Sequence, residues 1–317
     1  MSTAKDSSPL VSLVMAAWRP RQDWFEQAIV GALAQSGCEM ELVVVDDGSP
    51  EPVAELLTGF TDPRLRVVRV PHGGEPAARN AGIAASRGRF LRFIDADDVI
   101  EPSSTARLLE LVDGREDVIG YGATLFCDEE LRPIWKMTCE LEGEVVDDCL
   151  LGRFTVRPHA LLFPRSIVKA IGDWDSGFTV SHDWDFCLRG LEHASVRGTS
   201  AVVTYYRRHG EAATANADAG VAGADRVLDR YFKRHPGRVG TPFERRARAY
   251  NAALAGRVYL THRSVRRGVP RLLRAARLDP RAIGTEIVLG LQVTRSRVRY
   301  ALRRGPSAGD SSPNRNA

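Results

Sequence analysis

The sequence predicts an α/β protein: a mainly parallel sheet flanked by helices and followed by a basic helical extension. Three observations carry that expectation. Short runs rich in Val, Leu and Ile alternate with amphipathic stretches at the spacing of strand–helix–strand units. Two of the runs end abruptly in acids, Asp46-Asp47 and Asp95-Ala96-Asp97-Asp98, and open parallel sheets bind ligands beyond the carboxyl ends of their strands. The charge is also divided. Residues 226–304 hold 21 Lys and Arg against 4 Asp and Glu, a local +17, although the whole chain carries only +4 and the remainder therefore −13.

At 317 residues, with 44% hydrophobic and 26% charged side chains, the chain can bury a substantial core, and gross disorder is excluded. Met1 to Pro9 is polar, without the apolar stretch of a signal peptide, and no run approaches the roughly 18 apolar residues of a membrane span. The five cysteines (38, 127, 139, 149, 187) are odd in number and lack a Cys-x-x-Cys pair. That pattern suits reduced thiols better than a disulfide scaffold or a zinc site.

Taken in order, Val11 to Ala16 reads as a first strand. Asp23 is placed to cap a helix, with Glu26 completing a capping box and Phe25, Ile29 and Leu33 forming its apolar stripe. Glu41 to Val45 and Leu65 to Val70 are further strands, and Pro76 to Ser86 a small-residue helix. The fourth strand, Arg89 to Ile94, has Arg92 inside its apolar run and ends in three carboxylates. If the chain stays extended there, Asp95 and Asp97 project to one side. Two carboxylates so placed repel each other unless a cation or protons offset the charge, and a hard divalent ion suits them. The competing reading is an acidic strand-to-loop turn facing water. Ser103 to Val112 reads as a helix, Val118 to Phe126 as a strand, and 127–152 carries little pattern. His159 to Phe163 is strand-like, Ser166 to Ile171 helical, Ser181 to Arg189 a helix start with acids at its positive end, and Ala201 to Arg207 a last strand. Glu211 to Gly223 reads as a mobile linker or lid; from Asp225 the pattern is helical. The expected division is a disordered 1–9, an α/β domain over 10–224, a basic helical region over 225–304 and a disordered tail over 305–317.

Five motifs in sequence order now carry a resemblance: Val-Val-Val-Asp-Asp-Gly-Ser, Gly-Gly-Glu-Pro-Ala-Ala-Arg-Asn-Ala-Gly, Phe-Ile-Asp-Ala-Asp-Asp, His-Asp-Trp-Asp and Tyr-Tyr-Arg-Arg-His. Over residues 11–210 the chain resembles a family 2 glycosyltransferase with a GT-A, Rossmann-like fold. The resemblance implies an inverting, metal-dependent transfer of a sugar from a nucleoside diphosphate, UDP by preference, to a hydroxyl of a glycan or polyprenyl-linked acceptor in polysaccharide or glycoconjugate synthesis. It implies that Asp46 and Asp47 accept hydrogen bonds from base and ribose, against the alternative of an Asp-rich turn closed by Gly48. It implies that Arg79, in Ala-Arg-Asn, approaches the diphosphate; that Asp97 ligates Mn²⁺ or Mg²⁺, with Asp95 on the ribose or behind the metal's direct ligands, Asp98 capping the following turn, and His209 as a further contact to metal or diphosphate; and that Asp183 is the catalytic base. Helix capping by Asp183 is the structural alternative. Two departures stand out. The family usually has Glu-Asp where this chain has His182-Asp183, and Pro-x-Tyr-Asn where it has Ala16-Ala17-Trp18-Arg19; Trp18 still offers a base an aromatic face. A non-catalytic sugar-nucleotide-binding or scaffold protein of the same fold is the rival, with His182 its main support. A nucleotidyltransferase is disfavoured for want of a Gly-rich, Lys-containing loop after the first strand.

Apolar residues and arginines interleave from Arg281 to Arg304, which suits a solvated packing helix or one lying on an anionic membrane surface. Nucleic acid is disfavoured, since no base-reading motif accompanies the charge. The expected location is cytoplasmic, with attachment at the inner face of the plasma membrane.

Overall fold

The computed structural model describes residues 10–138, 140–155, 157–209 and 216–284. The chain opens with β1 (Val11–Ala17), α1 (Gln22–Leu33), β2 (Met40–Asp47), a single turn α2 (Val53–Leu56), β3 (Leu65–Val70), α3 (Glu75–Ala85) and β4 (Phe90–Asp95). These strands lie parallel in the order β3-β2-β1-β4. β1 and β2 are buried nearly throughout, as strands covered on both faces must be. Phe25 and Ile29 of α1 pack on Leu13, Met15, Leu42 and Val44. On the other face Ala78 of α3 meets Val43 and Val45. Gly82 lets α3 approach this closely, because a Cβ there would sit 2.3 Å from Val14.

The second half supplies β5 (Val99–Ile100), α4 (Ser104–Val112), β6 (Val118–Cys127), β7 (Pro133–Met137), α5 (Val146–Leu150), β8 (Leu161–Pro164), α6 (Arg165–Ile171), α7 (His182–Leu191) and β9 (Ser195–Arg207). β8 runs antiparallel to both β4 and β6, while β6 and β9 are parallel. The sheet order is β3-β2-β1-β4-β8-β6-β9-β5, with β7 hairpinned onto β6. Arg92 ties the halves together. Fully buried in β4, it donates to the carbonyls of His159 and Val203 and the hydroxyls of Ser104, Thr105 and Thr204. None of these partners is a carboxylate, and burial pushes the guanidinium down to about 9, still charged at neutral pH.

Three expectations change. Asp23 does not cap α1: the helix begins at Gln22, and Arg21 holds both Asp23 oxygens at 2.7 and 2.9 Å. The weakly patterned 127–152 contains β7 and α5, and Trp135 of β7 stacks on Phe126 at 4.3 Å. Of the expected linker, 211–215 lies outside the described residues, and the rest is helix. α8 (Ala217–Arg234) starts where Asn216 Oδ1 accepts from Ala219 N at 3.0 Å. The boundary at 224/225 therefore falls inside a helix. Val227, Leu228, Tyr231 and Phe232 of α8 share one core with Phe163, Trp174 and Phe186, so apolar burial joins α8 to the sheet. α9 (Pro242–Thr261) and α10 (Val265–Leu278) follow as an antiparallel pair. The expectations for 1–9 and 305–317, and nearly all of that for 281–304, concern residues outside those described. No helix among the described residues is long and apolar enough to cross a membrane.

Candidate active site

A cavity of about 750 Å³ opens beyond the carboxyl ends of β1, β2 and β4. Trp18, Asp47, Arg79, Asp95, Asp97, Asp183 and His209 all line it. Of the residues singled out from the sequence, Asp46 alone is not among its lining.

β1 delivers Trp18 to the rim. Half-exposed, its ring stacks on His72 at 4.8 Å with 22° between planes. Successive side chains of a strand face opposite ways, which separates the two acids ending β2. Asp46 is 1% exposed, accepting from Ser49 N at 2.8 Å and Val53 N at 3.2 Å, with Arg69 at 3.5 Å. It fastens the turn after β2 and is not among the residues lining the cavity. Asp47 accepts from Gly73 N at 2.8 Å and Gly74 N at 2.9 Å, fixing the loop that carries His72. Gly48 allows this turn: its φ is +68°, and a Cβ would fall 2.6 Å from His72 N. Only glycine fits both demands.

Arg79 on α3 lines the cavity at 3% exposure. One terminal nitrogen meets Glu75 at 2.5 Å and Asp95 at 2.6 Å, while the guanidinium lies 4.4 Å over Trp174. Its Nε and Nη1 are buried without a hydrogen-bond partner among the described residues. Burial pushes the Asp95 carboxyl up, but Arg79 and His159 together outweigh it and hold Asp95 well below the usual range.

Asp97 faces His209, with 2.8 Å between Oδ2 and Nε2. Burial and the charge of Asp95 push Asp97 up. Asp98 does not cap the following turn. It is 3% exposed, accepts from Arg207 N at 2.8 Å through Oδ1, and leaves Oδ2 buried with no partner. Burial first, then Asp97 and Asp95, push it well above the carboxylate range. His159 Nδ1 lies 3.5 Å from Asp95 and 3.6 Å from Asp98, and burial pushes this histidine down toward its neutral form. One ligand atom from each of Asp95, Asp98 and His159 falls within 4.8 Å of the others. An unsatisfied buried oxygen among three mutually repelling carboxylates, with the imidazole of His159 beside them, fits a divalent cation that takes oxygen and nitrogen ligands.

Asp183 stands in the first turn of α7 and accepts from Trp184 N at 2.8 Å through Oδ1. His182 Nε2 approaches Glu75 at 3.5 Å, so the histidine in place of the usual glutamate meets a carboxylate from α3. Sequence reading missed Asp98, His159, Glu75 and Arg157. Arg157 lines the cavity, packs over Phe126 and Tyr206 at 5.1 and 5.4 Å, and has no carboxylate partner among the described residues. The only hint of His159 and Arg157 was a polar Arg-Pro-His preceding the apolar run 160–163.

Comparison with known proteins agrees with the fold. The profile of glycosyl transferase family 2 matches residues 12–172. The succinoglycan biosynthesis protein ExoO of Rhizobium meliloti is 40% identical over 147 residues, 43% of this chain and 42% of ExoO. The uncharacterized protein y4gI of Sinorhizobium fredii is 29% identical over 204 residues, 60% of this chain and 21% of y4gI. The chain thus spans less than half the length of these curated relatives. Among solved structures, S. aureus TarS in complex with UDP-GlcNAc superposes with a TM-score of 0.54 over 83% of this chain and 89% of that chain, at 15% identity. At that identity the likeness concerns the fold.

Proposed function

The chain belongs to glycosyl transferase family 2, and from that premise we propose that it transfers a sugar, with inversion, from a nucleoside diphosphate to a hydroxyl of a glycan or lipid-linked acceptor. UDP is the preferred nucleotide. The observation that carries the reading is the single cavity in which Trp18, Asp47, Asp95, Asp97 and Asp183 converge. Those same acids beside a half-exposed tryptophan suit a base, a ribose and a pyrophosphate bridged to a cation.

Asp183 takes the acceptor hydroxyl proton as that oxygen bonds the anomeric carbon; the bond from that carbon to the diphosphate oxygen breaks, and its electron pair leaves with the nucleotide. Asp97 and His209, or Asp95 with Asp98 and His159, would hold Mn²⁺ or Mg²⁺. Such an ion supplies positive charge for the departing diphosphate. Arg79 keeps Asp95 ionised and in place. Arg157, which lines the cavity and forms no ion pair among the described residues, meets the phosphate oxygens. Asp183→Asn tests the reading through release of UDP from a UDP-sugar. Turnover should fall by about 10²–10⁴-fold while UDP binding persists; undiminished turnover would remove Asp183 from this role, and UDP binding without turnover in the wild type would favour a non-catalytic binding protein.

A further inference from the structure

Among the described residues only nine large hydrophobic side chains are exposed, and four of them gather at one corner: Leu260 at the end of α9, and Val265, Val269 and Leu273 of α10. The last three are spaced four apart, so they form one stripe along the helix. An adjacent face is spoken for, since Gly268, Leu272 and Ala275 pack against α9 or lie buried there. α10 contains five arginines and no acid. Arg267 pairs with Asp218 and Arg271 with Asp225. Arg263, Arg266, Arg274 and Arg277 are exposed and form no ion pair among the described residues.

We propose that this α9–α10 corner is a docking surface for an anionic phospholipid bilayer. The apolar stripe with its flanking arginines matches a helix lying in the headgroup plane, valines and leucines toward the acyl chains and guanidiniums among the phosphates. Charge argues against the other occupants. A second copy would set arginine against arginine. The chain's own residues 285–317 carry six arginines against two acids, so they repel the patch as well. A nucleic acid would accept the arginines and leave Val265, Val269 and Leu273 facing water. The corner is also tied to the cavity. Its arginines grip Asp218 and Asp225 of α8, and Gly223 of that helix lies against Val180 and Ser181, which line the cavity. A bilayer on α10 therefore brings lipid-borne molecules to that end of the protein. The surface stands independently of the donor reading.

Co-sedimentation of the full chain with phosphatidylcholine vesicles, with and without about a third phosphatidylglycerol, tests it. Binding is expected to the anionic vesicles alone. Replacing Arg266, Arg274 and Arg277 together by Gln should weaken it about a hundredfold, at roughly fivefold for each charge near the surface. Replacing Val265, Val269 and Leu273 by Ser should weaken it by at least about tenfold through lost apolar contact. These side chains are exposed, and release of UDP from a UDP-sugar without vesicles should match wild type, which shows that the variants fold. Vesicle binding unchanged in both triple variants, or abolished only by removing residues 285–317, would overturn the proposal. So would binding to a DNA duplex in preference to anionic vesicles.

Discussion

Two arginines show how a side chain's surroundings decide its task. Arg92 has five hydrogen-bond acceptors and no ion pair among the described residues, so it serves as a clamp between β4, β9 and the turn at Pro158–Ala160. Arg92→Met should lower stability by about 2–4 kcal/mol in urea denaturation, because several buried acceptors lose their donor at once. A loss below the error of the measurement would mean that water replaces the guanidinium. Arg157 is the opposite case, packed over two rings and with no ion pair among the described residues. If it meets phosphate oxygens, Arg157→Ala should weaken UDP binding by about 10- to 100-fold, the range for hydrogen bonds to a charged group. Uridine binding should stay unchanged. Equal losses for UDP and uridine would show that the side chain shapes the pocket instead. Sequence reading chose Arg79 for this part because a motif marks it. What it could not see is that Glu75 and Asp95 both meet one nitrogen of Arg79.

At the level of elements, polar side chains at strand ends stitch the parallel half together. Glu41 in β2 accepts from Ser12 of β1 at 2.7 Å and from Arg87 N at 2.6 Å, and pairs with Arg66 of β3 at 3.1 Å. Burial pushes this carboxyl up, but the Arg87 amide, Ser12 and Arg66 outweigh it and hold the group below its ordinary value of 4.5. A carboxylate lowered by folding stabilises the native state above its unfolded pKa, and that stability is lost as pH falls through the folded one. Glu41→Gln should therefore be less stable than wild type at pH 7, with the gap closing on acidification below about 4.5. A gap constant across that range would refute the ionised role. The strands themselves were legible because continuous apolar runs leave little choice. β7 was not: five residues with one buried contact to Phe126 carry too short an alternation to register. The linker was misjudged for a related reason. Alanine and glycine there suggested mobility, whereas Val221 and Gly223 are placed by burial against elements distant in sequence.

For the whole molecule, the fold was readable from the alternation of elements, and the acids from where strands end. The pocket's full membership was not. Asp95, Asp98 and His159 come together only because β8 inserts antiparallel between β4 and β6, a topology no local pattern encodes. The charge division read from composition has a physical counterpart in α10, where Arg266, Arg267, Arg274 and Arg277 are exposed. The account rests on the cavity at the ends of β1, β2 and β4 taking a nucleoside diphosphate together with a divalent cation. Calorimetric titration of UDP in the presence of Mn²⁺, repeated with a chelator and with Asp97→Ala, tests this most directly. One UDP per chain should bind, with affinity at least about tenfold weaker in the chelated and substituted samples, since a cation bridging carboxylate and diphosphate is lost in both. No UDP binding, or binding indifferent to both the ion and Asp97, would contradict it.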